Sequence, residues 1–146
     1  MDNCLSLILK NNLAEVARLL ETLESFGKSN NFSDSSIFDI SLVLDEIITN
    51  IIMHGYQDEE EHLISVNISL DKNSFSAHIS DDGMEFNPLS HTNISDNIDI
   101  ENIAIGGLGI QIIIKYVDKI EYQRISDKNN LSIDKNIEFI ESEEKH

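Results

Sequence analysis

Residues 42–56 read LVLDEIITNIIMHGY, a stretch that sets a glutamate, an asparagine and a histidine four residues apart in an otherwise apolar run. On a helix, side chains four apart lie nearly above one another, so Glu46, Asn50 and His54 form one polar stripe. Just upstream, Ser33, Ser35 and Ser36 offer helix caps. Ile37, Ile40, Leu44, Ile47 and Ile51 make the apolar face, and Gly55 marks the stop. Polar groups in such a run need a partner, because burying them unpaired costs free energy.

Working outward, CLSLILK (4–10) reads as a short strand. NNLAEVARLLETLESFGKS (11–29) predicts a helix with an Asn cap, with Leu13, Val16, Leu20 and Leu23 at helical spacing and Gly27 near its end. Beyond the long helix, HLISVNISLD and SFSAHISDD alternate apolar and polar residues around the turn-like LDKNSF, which predicts an antiparallel hairpin. From Gly83 to Asn102 the pattern dissolves into a long loop holding the only proline, Pro88. GGLGIQIIIKYVDK restores helical spacing, and KIEYQRIS with NNLSIDKNIEFI makes a last hairpin around DKNN. The order β-α-α-β-β-loop-α-β-β implies an α+β two-layer sandwich, with a mixed, mostly antiparallel sheet and helices on one face. Strands and helices do not alternate as a doubly wound fold requires.

The 146 residues fit one domain, over 1–140, with an acidic tail over 141–146. A net charge of -17 argues against direct contact with nucleic acid or an anionic membrane surface, both of which call for Lys and Arg. It favours a partner protein with a basic face or a metal-neutralised ligand. Cys4 is the single cysteine, so no internal disulfide forms. The sequence predicts neither a signal peptide nor a membrane span, and the expected location is cytoplasmic.

Three motifs carry chemistry. On the stripe, Asn50 can offer its amide oxygen to a hard cation such as Mg²⁺, and Glu46 can take a proton from a hydroxyl or water attacking a phosphate. A solvated helix edge explains the same pair. His54, at the helix end, suits a dipole or capping role. In ISDDGMEFNP a strand delivers Asp81, whose carboxylate can accept from an exocyclic amine, while Gly83 lets a flat ring approach the backbone. A plain turn reads the same way. IGGLGI (105–110) leads into a helix, where exposed N–H groups make a phosphate cradle or a flexible loop.

In this order the three motifs resemble those of the bacterial anti-sigma-factor serine-protein kinases. These are a branch of the Bergerat-fold (GHKL) ATPases shared with histidine kinases, gyrase and MutL. LVLDEIITNIIMHGY looks like the family's N box, DDGMEFNP its first glycine box and GGLGIQIII its second. The resemblance covers roughly residues 5 to 136 and implies a Bergerat ATP-binding fold. It implies that Asn50 holds Mg²⁺, Glu46 is the general base and Asp81 binds the adenine amino group beside Gly83. Gly106, Gly107, Leu108 and Gly109 would form the lid over the triphosphate.

The implied activity is ATP-dependent serine/threonine protein kinase action on a small anti-sigma antagonist, with a sigma factor as second partner and a homodimer as assembly. Glu85 replaces the second glycine of D-x-G-x-G, as in the anti-sigma branch. No Lys or Arg occurs from Asn73 to Ile114, and Ile103 and Ala104 stand where relatives often carry Arg-Pro. The alternative is an ATP-loaded module that binds partners without phosphorylating them.

Overall fold

The computed structural model describes residues 3–88 and 105–140, with residues 105–108 in backbone alone. Five strands and three helices follow in the expected order: β1 (Cys4–Lys10), α1 (Ala14–Ser29), α2 (Asp34–His54), β2 (Leu63–Asp71), β3 (Ser74–Asp81), α3 (Ile105–Tyr116), β4 (Lys119–Ile125) and β5 (Lys128–Asn136). The sheet runs β1-β2-β3-β5-β4, and every described pairing is antiparallel, so the parallel component of a mixed sheet is not found among these strands.

Alternation decides which face each strand buries. Leu9, Ile64, Val66, Ile68, Phe75, Ala77, Ile79, Leu131 and Ile133 point to the helices and are buried. From α1 come Leu19 and Leu23, and from α2 Ile37, Ile40, Val43, Leu44, Ile47 and Ile48. At one end Phe26, Phe32 and Phe75 meet edge to face, with centroids 5.9 to 6.4 Å apart. Among the described residues no helix covers the opposite sheet face, which presents polar side chains including Ser6, Asn67, Ser76, His78 and Ser132. A groove of about 430 Å³ there is lined by none of the residues the sequence singles out for chemistry.

α2 starts as its sequence predicts: Ser33 is the N-cap, and its hydroxyl accepts from the Ser36 N–H at 3.1 Å. Gly55 closes it, its N–H donating to the Ile51 carbonyl. α1 departs from the sequence reading at its start. Its N-cap is Leu13, with no side-chain cap, and the Glu15 and Val16 N–H groups bond to the Asn12 and Leu13 carbonyls. A tight backbone turn thus takes the place of the Asn cap. Gly27 lies inside α1 and is buried there, because a β-carbon at this position would sit 2.6 Å from Ile37 Cγ1. It lies near the end of the helix, as the sequence places it, and is also a contact glycine between α1 and α2.

The last hairpin turns at Ser126 and Asp127, both at positive φ (52° and 63°). The expected turn around DKNN is therefore displaced, and Asn129 and Asn130 belong to β5. This shift turns Asn129 to the helix face of the sheet, level with Asp81 across the β3–β5 ladder.

Candidate functional site

Two groups of side chains meet at the end of the sheet where β3 finishes. The first is on α2. Asn50 Nδ2 donates to Glu46 Oε2 at 2.9 Å, and one position back Thr49 Oγ1 donates to Asp45 Oδ1 at 3.0 Å. Glu46 and Asn50 of the stripe are thus paired with each other, as an apolar run requires. Its amide nitrogen being spent on Glu46, Asn50 leaves its carbonyl oxygen for another partner.

α3 packs across this pair, and Gly109 is the point of contact. A β-carbon at Gly109 would fall inside the Glu46 carboxylate, so with Glu46 in this position glycine lets α3 approach. Gly106 and Gly107, which the sequence places ahead of a helix, fall in the first turn of α3. The backbone N–H groups of a first turn have no partner within their helix. Leu108 follows in the same turn, and its side chain lies outside the described residues, as do Ile103 and Ala104. His54 ends α2 and is exposed.

The second group surrounds Asp81, which is 5 % exposed at the last position of β3. Its Oδ1 accepts from the Gly83 N–H at 2.8 Å and from Asn129 Nδ2 at 3.0 Å. Burial raises the Asp81 pKa above the usual carboxylate range. The donors from Asn129 and Gly83 oppose that shift, and the charge of Asp82 adds to it. Both described bonds fall on one oxygen, which leaves the other as the acceptor for an amine. Gly83 is tight: a β-carbon there would collide with the Gly55 carbonyl at the end of α2. Met84 N–H bonds to that same carbonyl at 2.8 Å, so the turn is docked on the helix carrying Glu46 and Asn50.

Asn129 was not legible as a functional residue, although it is the hub of this group. Its Nδ2 also donates to the Met84 carbonyl (2.8 Å), and its Oδ1 accepts from Tyr122 Oη (2.5 Å), Phe86 N–H (3.2 Å) and Arg124 (3.2 Å). Arg124 in turn donates to the Gly83 carbonyl at 2.9 Å, which brings a cation from the last hairpin to the glycine turn. Tyr122 and Arg124 therefore hold the turn from the last hairpin. The available signal was a polar residue on an inward alternation, since Asn129 shares its face with Leu131 and Ile133.

Residues 9–135 match the family described as histidine kinase-like ATPase domain. The chain belongs to that family. Among curated relatives, it is 22% identical over 111 residues to the serine/threonine-protein kinase BtrW of Bordetella bronchiseptica, covering 76% of this chain and 78% of that protein. It is 26% identical over 104 residues to the serine-protein kinase RsbW of Listeria monocytogenes, covering 68% and 66%. With an anti-sigma F factor of Halalkalibacterium halodurans it shares 25% identity over 83 residues, 57% of each protein. A solved structure of the RsbU and RsbW domains of a Mycobacterium tuberculosis protein superimposes with a TM-score of 0.65 at 13% identity. It covers 96% of this chain and 35% of that one, a likeness of fold. No helix among the described residues is long and apolar enough to cross a membrane.

Proposed function

We propose that this histidine kinase-like ATPase domain binds Mg²⁺–ATP between α2 and α3 and transfers the γ-phosphoryl group to a serine or threonine of a small antagonist protein. In its other state it would hold a sigma factor, as a cytoplasmic homodimer. The observation that carries this reading is the docking of the Asp81 turn on the end of the helix that bears Glu46 and Asn50. An amine acceptor and a carboxylate–amide pair are thereby held on one rigid frame.

In this reading Asp81 accepts from the adenine amino group, and Gly83 keeps the backbone open to the ring. The Asn50 carbonyl would hold Mg²⁺, which prefers oxygen and keeps several positions for water and phosphate. The site fits a metal that arrives with its nucleotide, because the Asn50 amide offers one neutral oxygen beside the Glu46 carboxylate. Mg²⁺ would offset charge on the phosphates. Glu46 would accept the proton of the attacking hydroxyl, and the first turn of α3 would offer N–H groups to the phosphates.

Titration calorimetry with ATP and Mg²⁺, followed by phosphate transfer to a co-purified antagonist, tests the proposal. Micromolar binding lost in Asp81→Asn, with transfer lost but binding kept in Glu46→Gln, is the expected pair of results. No binding in any sample refutes it. One observation favours a second reading, a binding module without transfer: no Lys or Arg occurs from Asn73 to Ile114. ATP binding with a tight partner complex and no transfer would select that reading.

A further inference from the structure

Beside Asp81, but outside the two groups described above, the ring of His62 lies between two carboxylates. Its Nε2 is 2.7 Å from Asp58 Oδ1, and its Nδ1 is 3.1 Å from Asp82 Oδ1. Asp58 belongs to the loop leaving α2, whereas Asp82 is the residue after β3. The ring is fixed on every side. It stacks on Tyr56 at 4.2 Å and 15°, and its side chain is 17% exposed. Its backbone N–H donates to Asn11 Oδ1 and its carbonyl accepts from the Asn11 N–H. A neutral imidazole has one N–H and one lone pair, so with a carboxylate at each nitrogen it would turn a lone pair toward an anion. Only the imidazolium donates to both.

We propose that His62, as an imidazolium, is a positioning residue for the nucleotide site, clamping the loop after α2 to the turn that carries Asp81. The effect on nucleotide rests on the ATP-binding reading; the clamp itself does not. Releasing Asp82 removes the hold on the residue between Asp81 and Gly83 and leaves the turn to its bonds with Gly55, Arg124 and Asn129.

The charges around the ring agree with this. The hydrogen bond that His62 donates to Asp58 raises the His62 pKa above the usual histidine value; partial burial opposes the shift, and the charges of Asp58 and Asp82 reinforce it. The same bond lowers the Asp58 pKa. Glu59, Glu60 and Glu61 lie on the same loop, and Lys10 on β1 pairs with Glu61 at 3.9 Å. The Tyr56 hydroxyl is buried, with no partner among the described residues, and burial ahead of nearby carboxylates keeps it protonated. His62 is thus the group of this stack that titrates. Its raised folded-state pKa means the clamp is complete at acidic pH and is lost as pH rises through that raised value.

The experiment is an NMR titration of the whole chain from pH 5.5 to 9, paired with ADP affinity across the same range. The His62 ring signals are identified by their loss in His62→Gln. Expected are a ring midpoint above about 6.5, Gly83 and Met84 amide shifts with the same midpoint, and a lower midpoint for both in Asp58→Asn. ADP affinity falls about tenfold through that midpoint in the native chain and stays flat in His62→Gln. A ring midpoint at or below the ordinary value, Gly83 and Met84 amides blind to it, or a pH dependence surviving in His62→Gln would overturn the proposal. Absence of ADP binding at every pH would remove the nucleotide reading, while the amide shifts would still decide the clamp.

Discussion

Replacing Asn129 by aspartate changes one nitrogen to an oxygen at nearly constant size, and the structure gives the consequence bond by bond. The bonds that Oδ1 accepts from Tyr122, Phe86 and Arg124 survive. The two bonds from Nδ2, to Asp81 Oδ1 and the Met84 carbonyl, become contacts between acceptors. Two carboxylates 3.0 Å apart repel by roughly 5 kcal/mol at an effective dielectric near ~20. The pair can relieve part of this by retaining one proton, which leaves an expected loss of about 3 kcal/mol at neutral pH. Asn129→Ala instead removes all five bonds. Tyr122 and Arg124 are half-buried and recover water, so its expected loss is about 2 kcal/mol.

The two variants separate by pH. A proton shared by Asp81 and residue 129 raises a folded-state carboxyl pKa above its unfolded value. The folded aspartate variant then binds more protons than the unfolded chain between those two values. Its deficit relative to the native chain is smallest near pH 4, grows as pH rises through the raised value, and then levels off. The alanine deficit carries only a shallower slope of the same sign, because losing the Asn129 donor lets the Asp81 pKa rise a little further without a second carboxylate to share the proton. Urea unfolding of the three proteins at several pH values between 4.5 and 7.5 reads both effects. An aspartate variant as stable as the native chain at pH 7.5, or one whose deficit ignores pH, would refute the claim that Asn129 donates to Asp81.

Gly109→Ala should push α3 away from α2 or drive Glu46 off Asn50, since the added methyl occupies the carboxylate's place. Calorimetry should show at least about tenfold weaker Mg²⁺–ATP binding with the fold retained, and unchanged affinity would sink the proposed role of that contact. Gly27→Ala places a carbon against Ile37 and Phe32 in the core between α1 and α2. Thermal unfolding should show a loss of about 1–3 kcal/mol, despite alanine's better helix propensity, and a gain in stability would mean that Ile37 can move aside.

Much of this chain was legible locally. α2 could be read from its cap, its apolar spacing and its closing glycine, because each of those signals acts within a turn of helix. The Glu46–Asn50 bond was equally accessible, since four-residue spacing brings the two side chains together wherever the helix lies. The element order and the first hairpin followed from periodicity and turn residues. Where the turn was centred two residues late, on DKNN instead of Ser126 and Asp127, the consequence was large: Asn129 fell where turn and strand overlap, and its inward side chain was missed.

The sequence by itself determined the helices, the strands and the identities of the residues carried at their ends. Tertiary structure alone decided which of those ends meet. Asp81 and Asn129 are cross-strand neighbours because β3 pairs with β5 and not with β4, its next strand in sequence. His62 reaches Asp82 because β2 and β3 run antiparallel and bring the start of one beside the end of the other. Gly27 and Gly109 are required by the side chains of other helices, not by their own. Spacing along one element is fixed by backbone geometry and is written in the sequence. Contact between elements depends on how the whole core packs, and no single segment contains it.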